Sequence, residues 1–236
     1  MKKYAKEFRI STAEQRSPEW YKERAGIPSA SGLGFLFDTL KDGYTPSAKA
    51  KKYLRQLAYE RKFGVTYDNY VSKPMEDGVF YEDFAKAIYF KDTGNALEPA
   101  TSYVSDWFIA TPDAHVIDKS GKRGLLECKV VRDATFMELI EEGIPVEHEL
   151  QVQGQLMATG ADWVDYIVVN IKTKSYFIKR IHRNNKLIQR IYDRLHEPLD
   201  LPELDGAGVK KFDEEMLSNF MSGEAEEPRE PLDLGF

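Results

Sequence analysis

The chain has 236 residues, 42% hydrophobic and 31% charged, enough for one sizeable core or at most two small domains. No apolar run approaches the roughly 18 residues of a membrane-spanning helix, the start does not read as a secretory signal, and the single cysteine, Cys128, excludes an internal disulfide or a multi-cysteine metal site. The net charge of −6 comes from acids gathered after Glu197 and hides a mildly basic body, so a local basic groove for nucleic acid stays open.

These features predict a cytoplasmic protein with one folded domain over residues 1–197. An acidic, partly disordered tail with a docking helix is expected over 198–236.

In chain order, Ser17-Pro18-Glu19 reads as a helix start, with Ser17 as N-cap and Pro18 in the first helical position, and Gly26 as the stop. Ser29-Ala30-Ser31-Gly32 opens a short second helix. Residues 47–63 form a third, which carries Lys49, Lys51, Lys52, Arg55, Arg61 and Lys62. Val79, Phe80, Ala85, Ile88 and Tyr89 recur at helical spacing, which predicts a helix over about 75–93 that ends at Gly94. The period then changes to that of strands. Residues 107–110 and 114–117 flank Thr111-Pro112-Asp113, and a turn at 118–121 leads into 124–131 as a β-hairpin. Helices over 133–142 and 147–159, strands over 163–171 and 175–181, and a helix over 184–196 complete the domain. This order predicts an α/β fold with a mixed central sheet flanked by helices.

Chemistry concentrates at Pro112-Asp113 and, thirteen residues on, Glu127-Cys128-Lys129. Side chains at i and i+2 of a strand share a face, so Glu127 and Lys129 point together and Cys128 points away. Asp113, at the bend before its strand, can reach the same spot. Oxygen ligands suit Mg²⁺, and an ammonium beside them can position water or offset charge on a phosphoryl oxygen. A solvated cross-strand ion pair is the alternative, but the flanking Leu125-Leu126 and Val130-Val131 place these charges inside an apolar strand. Glu82 puts a carboxylate on an otherwise apolar helix. In Gln151-Val152-Gln153-Gly154-Gln155, the glutamines Gln151 and Gln155 share a helical face.

With these motifs the sequence resembles the lambda-exonuclease or YqaJ-type viral recombinase family of PD-(D/E)xK nucleases. The matching segments are Trp20-Tyr21-x-x-Arg24-x-Gly26-Ile27-x-x-Ala30-Ser31, Gly78-x-x-Tyr81-Glu82, Thr111-Pro112-Asp113, Leu126-Glu127-Cys128-Lys129 and Gln151-Val152-Gln153-x-Gln155-Leu156-Met157. The resemblance implies a restriction-endonuclease-like core. Asp113, Glu127 and the carbonyl of Cys128 match its metal ligands, Lys129 its catalytic lysine, and Glu82 and Gln151 the residues that organise the centre. Arg24, Ser31 and Thr111 match positions that hold the 5′-terminal phosphate, and Met75 falls where the lambda enzyme places a DNA wedge. His148 stands where the family often has an aromatic residue, and reads as an ordinary surface histidine.

The implied activity is degradation of the 5′-ended strand of linear duplex DNA to mononucleotides, leaving 3′ overhangs for phage-type strand annealing. It would use Mg²⁺, replaceable by Mn²⁺, with two ions per site. A ring-shaped homotrimer on double-stranded DNA ends, working with a single-strand-annealing protein, is the family expectation for such a phage or prophage product. The alternatives are an endonuclease with the same core, and a noncatalytic DNA-end scaffold.

Overall fold

The computed structural model describes residues 3–15, 17–66 and 73–204, with the backbone alone over 73–80. Two compact units divide the chain, Met1–Glu203 and Leu204–Phe236. The expected docking helix of the acidic tail and the side chain of Met75 both lie outside the described residues. Among the described residues no helix is long and apolar enough to cross a membrane.

Helix α1 spans Pro18–Arg24 and α2 spans Leu33–Leu36, after a 3-10 turn at Ala30–Gly32. Helix α3 spans Ala48–Phe63 and α4 spans Lys73–Thr93. Strands β1 (Arg9–Ile10), β3 (Tyr103–Val104) and β4 (Ile109–Ala110) make a small sheet. The central sheet has the order β2 (Ala96–Pro99), β5 (Ala114–Ile117), β6 (Arg123–Val130), β7 (Trp163–Asn170), β8 (Ser175–His182). Only β6 and β7 run parallel. A parallel neighbour needs a long crossover, here α5 (Asp133–Glu141) and α6 (Val146–Thr159). Helix α7 spans Asn185–His196.

Ser17 caps α1 as the sequence indicates, and Ser47 and Asn184, expected as the first helical residues, are caps as well. Ser17 Oγ accepts from Trp20 N at 3.2 Å, Ser47 Oγ from Ala50 N at 3.1 Å, and Asn184 Oδ1 from Lys186 N and Leu187 N. Two readings need correction. Trp107 and Phe108 lie outside any strand, and Ile109–Ala110 belongs to the small sheet rather than to the central one. The edge strand β2 went unpredicted, because four residues that end on Pro99 show no two-residue alternation.

All eight residues of β7 are buried, since helices cover both faces of the sheet, and each buried Val or Ile there stabilises the fold by about 1.5–3 kcal/mol. One core joins α2, α3, α6 and α7 to the first face, through Leu33, Leu57, Leu156, Tyr166 and Ile188. The other joins α4 to the second face, through Ala85, Tyr89, Leu126, Trp163 and Ile167. Helix α6 is buried from Leu150 to Ala158. A Cβ on its Gly154 would stand 2.6 Å from Leu33 Cδ1, so this glycine lets α6 approach α2. Gly26 closes the α1 end at φ 73°. Its N–H donates to Glu60 Oε2 and its carbonyl accepts from Arg61 Nε, both at 2.8 Å, which fastens α1 to α3.

Asp165, Arg180 and Tyr89 form a polar link through the second face. Arg180 donates to both Asp165 oxygens at 2.7 and 2.8 Å, Tyr89 donates to Asp165 Oδ2 at 2.5 Å, and the guanidinium lies 3.6 Å above the Trp163 ring.

Candidate active site

The site is an opened edge of the central sheet. Strands β5 and β6 pair from Ile117↔Arg123 to Ala114↔Leu126 and then part, while β6 continues along β7 to Val130. Pro112 has no N–H with which to extend the ladder. At the parting, Asp113 N donates to the Leu126 carbonyl at 3.1 Å, and the Asp113 carboxylate accepts from Cys128 N at 2.6 Å. A strand residue sends its N–H and C=O to the same edge, so the Cys128 carbonyl also faces the gap beside Asp113.

Glu127 and Lys129 point to the opposite sheet face from Cys128, toward α6. Glu127 is only 2% exposed, a position for a charge only when it is well paired. Its Oε1 accepts from Lys129 Nζ at 2.7 Å and from Gln151 Nε2 at 2.6 Å, and its Oε2 accepts from Gln155 Nε2 at 2.7 Å. Lys129 Nζ also donates to Gln151 Oε1 at 3.0 Å. Gln155 donates besides to the Thr111 carbonyl at 3.3 Å, while its Oε1 is buried without a partner.

The electrostatics follow from this crowding. Burial, then Glu127 and Glu82, push the Asp113 carboxyl well above the usual carboxylate range, against the pull of Cys128 N–H and Lys129. Burial works to lower the Lys129 ammonium, but the charge and hydrogen bond of Glu127 outweigh it and leave the pKa raised. Glu82 approaches from α4, its Oε1 2.7 Å from Lys86 Nζ. Among the described residues no group of three or more His, Cys, Asp or Glu side chains stands open to a metal ion. The geometry explains why: Glu127 and Glu82 are each closed by an ammonium, whereas Asp113 has no described cation within ion-pair range.

A second polar group adjoins the first. Arg24 donates to Thr111 Oγ1 at 3.4 Å and lies 4.2 Å over the Trp20 ring. Ser102 joins them, with its Oγ 2.7 Å from Thr111 Oγ1 and accepting from Trp20 Nε1 at 2.9 Å. Burial lowers the Arg24 pKa, against the smaller opposing influence of Tyr53, Glu60 and Tyr21. Ser31 Oγ is 3.1 Å from Ser29 Oγ. It lines a cleft of about 520 Å³ together with Phe35, Lys49, Lys129, His148 and Gln151.

A family model for the YqaJ-like viral recombinase domain matches residues 19–162. The chain belongs to this family. The crystal structure of the alkaline exonuclease LHK-Exo from Laribacter hongkongensis is similar at 27% identity and TM-score 0.67, over 89% of this chain and 100% of that one. LHK-Exo in complex with dAMP aligns at TM-score 0.65 and 27% identity, over 76% of this chain and 89% of that one. A phage-related exonuclease from Haemophilus somnus 129PT shares the fold at 17% identity and TM-score 0.54, over 72% of this chain and 90% of that one. No curated protein matches the sequence. The fold is that of the lambda-exonuclease-like PD-(D/E)xK nucleases, and the likeness supports a nuclease of this family.

Within this YqaJ-like domain the structure gathers Asp113, Glu127, Lys129 and Gln151, with Glu82 at their side. Arg24 and Thr111 meet each other, and Ser31 faces the cleft of Lys129. Sequence reasoning set Gln155 on the helical face of Gln151 without giving it a role, and it did not single out Ser102 or Lys86. The reading of His148 as an ordinary surface residue is corrected. It is half-buried beside the cleft, with Nδ1 2.7 Å from Tyr166 Oη on the sheet face that α6 covers. Cys128 packs against the second core, where burial first and then the charges of Asp113, Glu127 and Glu82 push its thiol pKa far up, so it stays protonated.

Proposed function

We propose that this protein is a divalent-metal-dependent exonuclease that removes mononucleotides from the 5′-ended strand of linear double-stranded DNA. The observation that carries the reading is the adjacency of the two polar groups. Gln155 touches both Glu127 Oε2 and the Thr111 carbonyl, so the buried carboxylate and the Arg24–Thr111 pair stand side by side. A duplex end that places its 5′-phosphate on one would lay its first phosphodiester on the other.

The residues fit a hard cation. Asp113 is buried close to the carboxylates of Glu127 and Glu82, and the Cys128 carbonyl and Glu127 supply further oxygens of the type that Mg²⁺ or Mn²⁺ selects. Asp113, Glu127 and that carbonyl would hold the metal, two ions per site on the family pattern, and the metal supplies Lewis acidity and an acidified water. Lys129 Nζ, held by Glu127 and Gln151, donates toward the phosphoryl oxygens that gain charge. Gln151 fixes that ammonium through its Oε1 while its Nε2 holds Glu127 in place. Water adds to phosphorus, O3′ leaves with a proton, and a 5′-mononucleotide departs. The shortened strand then carries a fresh 5′-phosphate, which Arg24 can take up in the next cycle.

A partly buried guanidinium that already donates to a hydroxyl at the site is suited to a phosphate dianion. Arg24→Ala is expected to cut the preference for 5′-phosphate over 5′-hydroxyl ends by about 10- to 100-fold, the worth of one or two charge-assisted hydrogen bonds. The check is the ratio of kcat/KM on the two duplexes; an unchanged ratio removes Arg24 from phosphate recognition. A ring-shaped trimer and a single-strand-annealing partner belong to the same reading, drawn from the family resemblance.

The deciding experiment digests one plasmid, either linear with 5′-phosphates or covalently closed, with Mg²⁺ and with chelator. Loss of the linear form alone, and only with metal, is expected. Cutting of the closed circle would make the protein an endonuclease, and inertness toward both would make it a DNA-end scaffold.

A further inference from the structure

Helix α4 carries a second lysine at the site. Lys86 lies one turn after Glu82, with its Nζ 2.7 Å from Glu82 Oε1 and 3.7 Å from Asp83 Oδ1. Glutamate followed four residues later by lysine is the favourable helical order. The neighbours Ala85 and Tyr89 are fully buried against the sheet, so the backbone that bears Lys86 is fixed beside it. About a quarter of its side chain is exposed, so it is neither sunk in the core nor free in solvent.

We propose that Lys86 is a tethered cation that occupies the Glu82 side of the metal centre and thereby limits how tightly a divalent ion binds. The inference rests on the metal-site reading above. Lys129 pairs with Glu127 and Lys86 pairs with Glu82, while the buried Asp113 carboxyl accepts from the Cys128 N–H between them. An ion that arrives at Asp113 enters the field of the Lys86 ammonium, which Asp113 also senses. Either Lys86 stays and repels it, or Lys86 gives up Glu82 and the ion gains that oxygen. Both courses weaken binding relative to a chain with no charge at position 86. Lys86 is a positioning residue, because it acts on the reaction through Glu82 and the metal.

The test is Mn²⁺ binding to the full chain, read from the electron paramagnetic resonance signal of free Mn²⁺, without DNA. Lys86→Met keeps the aliphatic stem and removes the charge, and is expected to lower the Mn²⁺ Kd at least about fivefold. Lys86→Arg keeps the charge and should retain the wild-type Kd, a result that a merely structural role would not produce. Thermal unfolding in chelator should show Lys86→Met less stable and Mn²⁺ restoring it. Binding that depends on Asp113, tested with Asp113→Asn, but is unchanged or weaker in Lys86→Met overturns the Lys86 assignment alone. Absence of Asp113-dependent binding in the wild type overturns the metal-site reading and this inference with it.

Discussion

Lys129→Ala is expected to keep the fold and the binding of DNA ends while losing hydrolysis by at least about 10², or roughly 2.7 kcal/mol of transition-state stabilisation. Fold and chemistry separate here because Glu127 does not depend on Lys129 alone. With the ammonium gone, the buried carboxylate still accepts from Gln151 and Gln155, which hold both of its oxygens and limit the cost of losing its cation. What disappears is the ammonium that Gln151 holds in the cleft, where charge develops during phosphoryl transfer. Single-turnover cleavage of an end-labelled duplex measures the loss, and fluorescence anisotropy of the same duplex in chelator measures binding. Near-wild-type turnover would remove Lys129 from the reaction.

How much of this was legible in the sequence depended on whether the signal was local. Ser17, Ser47 and Asn184 cap their helices through contacts two or three residues away, and Gly94 and Gly160 close theirs at positive φ, so those boundaries could be read directly. The Glu127–Lys129 pair was equally accessible, because the alternation of a strand decides which side chains meet. Strand β2 was not, since its pairing with β5 supplies the order that its own four residues lack.

The site residues whose roles were not legible are those set by a distant element. A helical glutamine is ordinarily a packing or solvent residue; Gln155 becomes a bridge only because the Thr111 carbonyl and Glu127 come together opposite it. His148 takes its orientation from Tyr166, eighteen residues away on the sheet face that α6 covers. Glu82 with Lys86 is the commonest favourable pattern on any exposed helix, and its meaning depends on what α4 faces. The charge distribution held the same ambiguity: Lys49, Lys51, Lys52 and Arg55 are all exposed on α3, and of these Lys49 lines the cleft that also holds Lys129.

Asp165→Ala is expected to cost about 3 kcal/mol of stability, the low end for breaking a buried ion pair. Asp165 is 3% exposed and satisfies two oxygens with three donors from two other elements, Arg180 of β8 and Tyr89 of α4. Its removal strips the guanidinium of its fork partner and the Tyr89 hydroxyl of its acceptor, although Tyr89 still accepts from Asn95 Nδ2 at 2.9 Å. The loss stays at the low end because the Arg180 side chain is 37% exposed and can rehydrate. Arg180→Met in the Asp165→Ala background removes the stranded charge, so the double variant should lose less than the sum of the singles. Urea unfolding of the full chain is the measurement, read as a lower midpoint at constant slope. A loss below about 1 kcal/mol would class the pair with ordinary surface ion pairs and leave α4 anchored by its apolar residues alone. A loss of the expected size would mean that the same carboxylate holds α4, with Glu82 and Lys86 on it, against the sheet that carries Asp113 and Glu127.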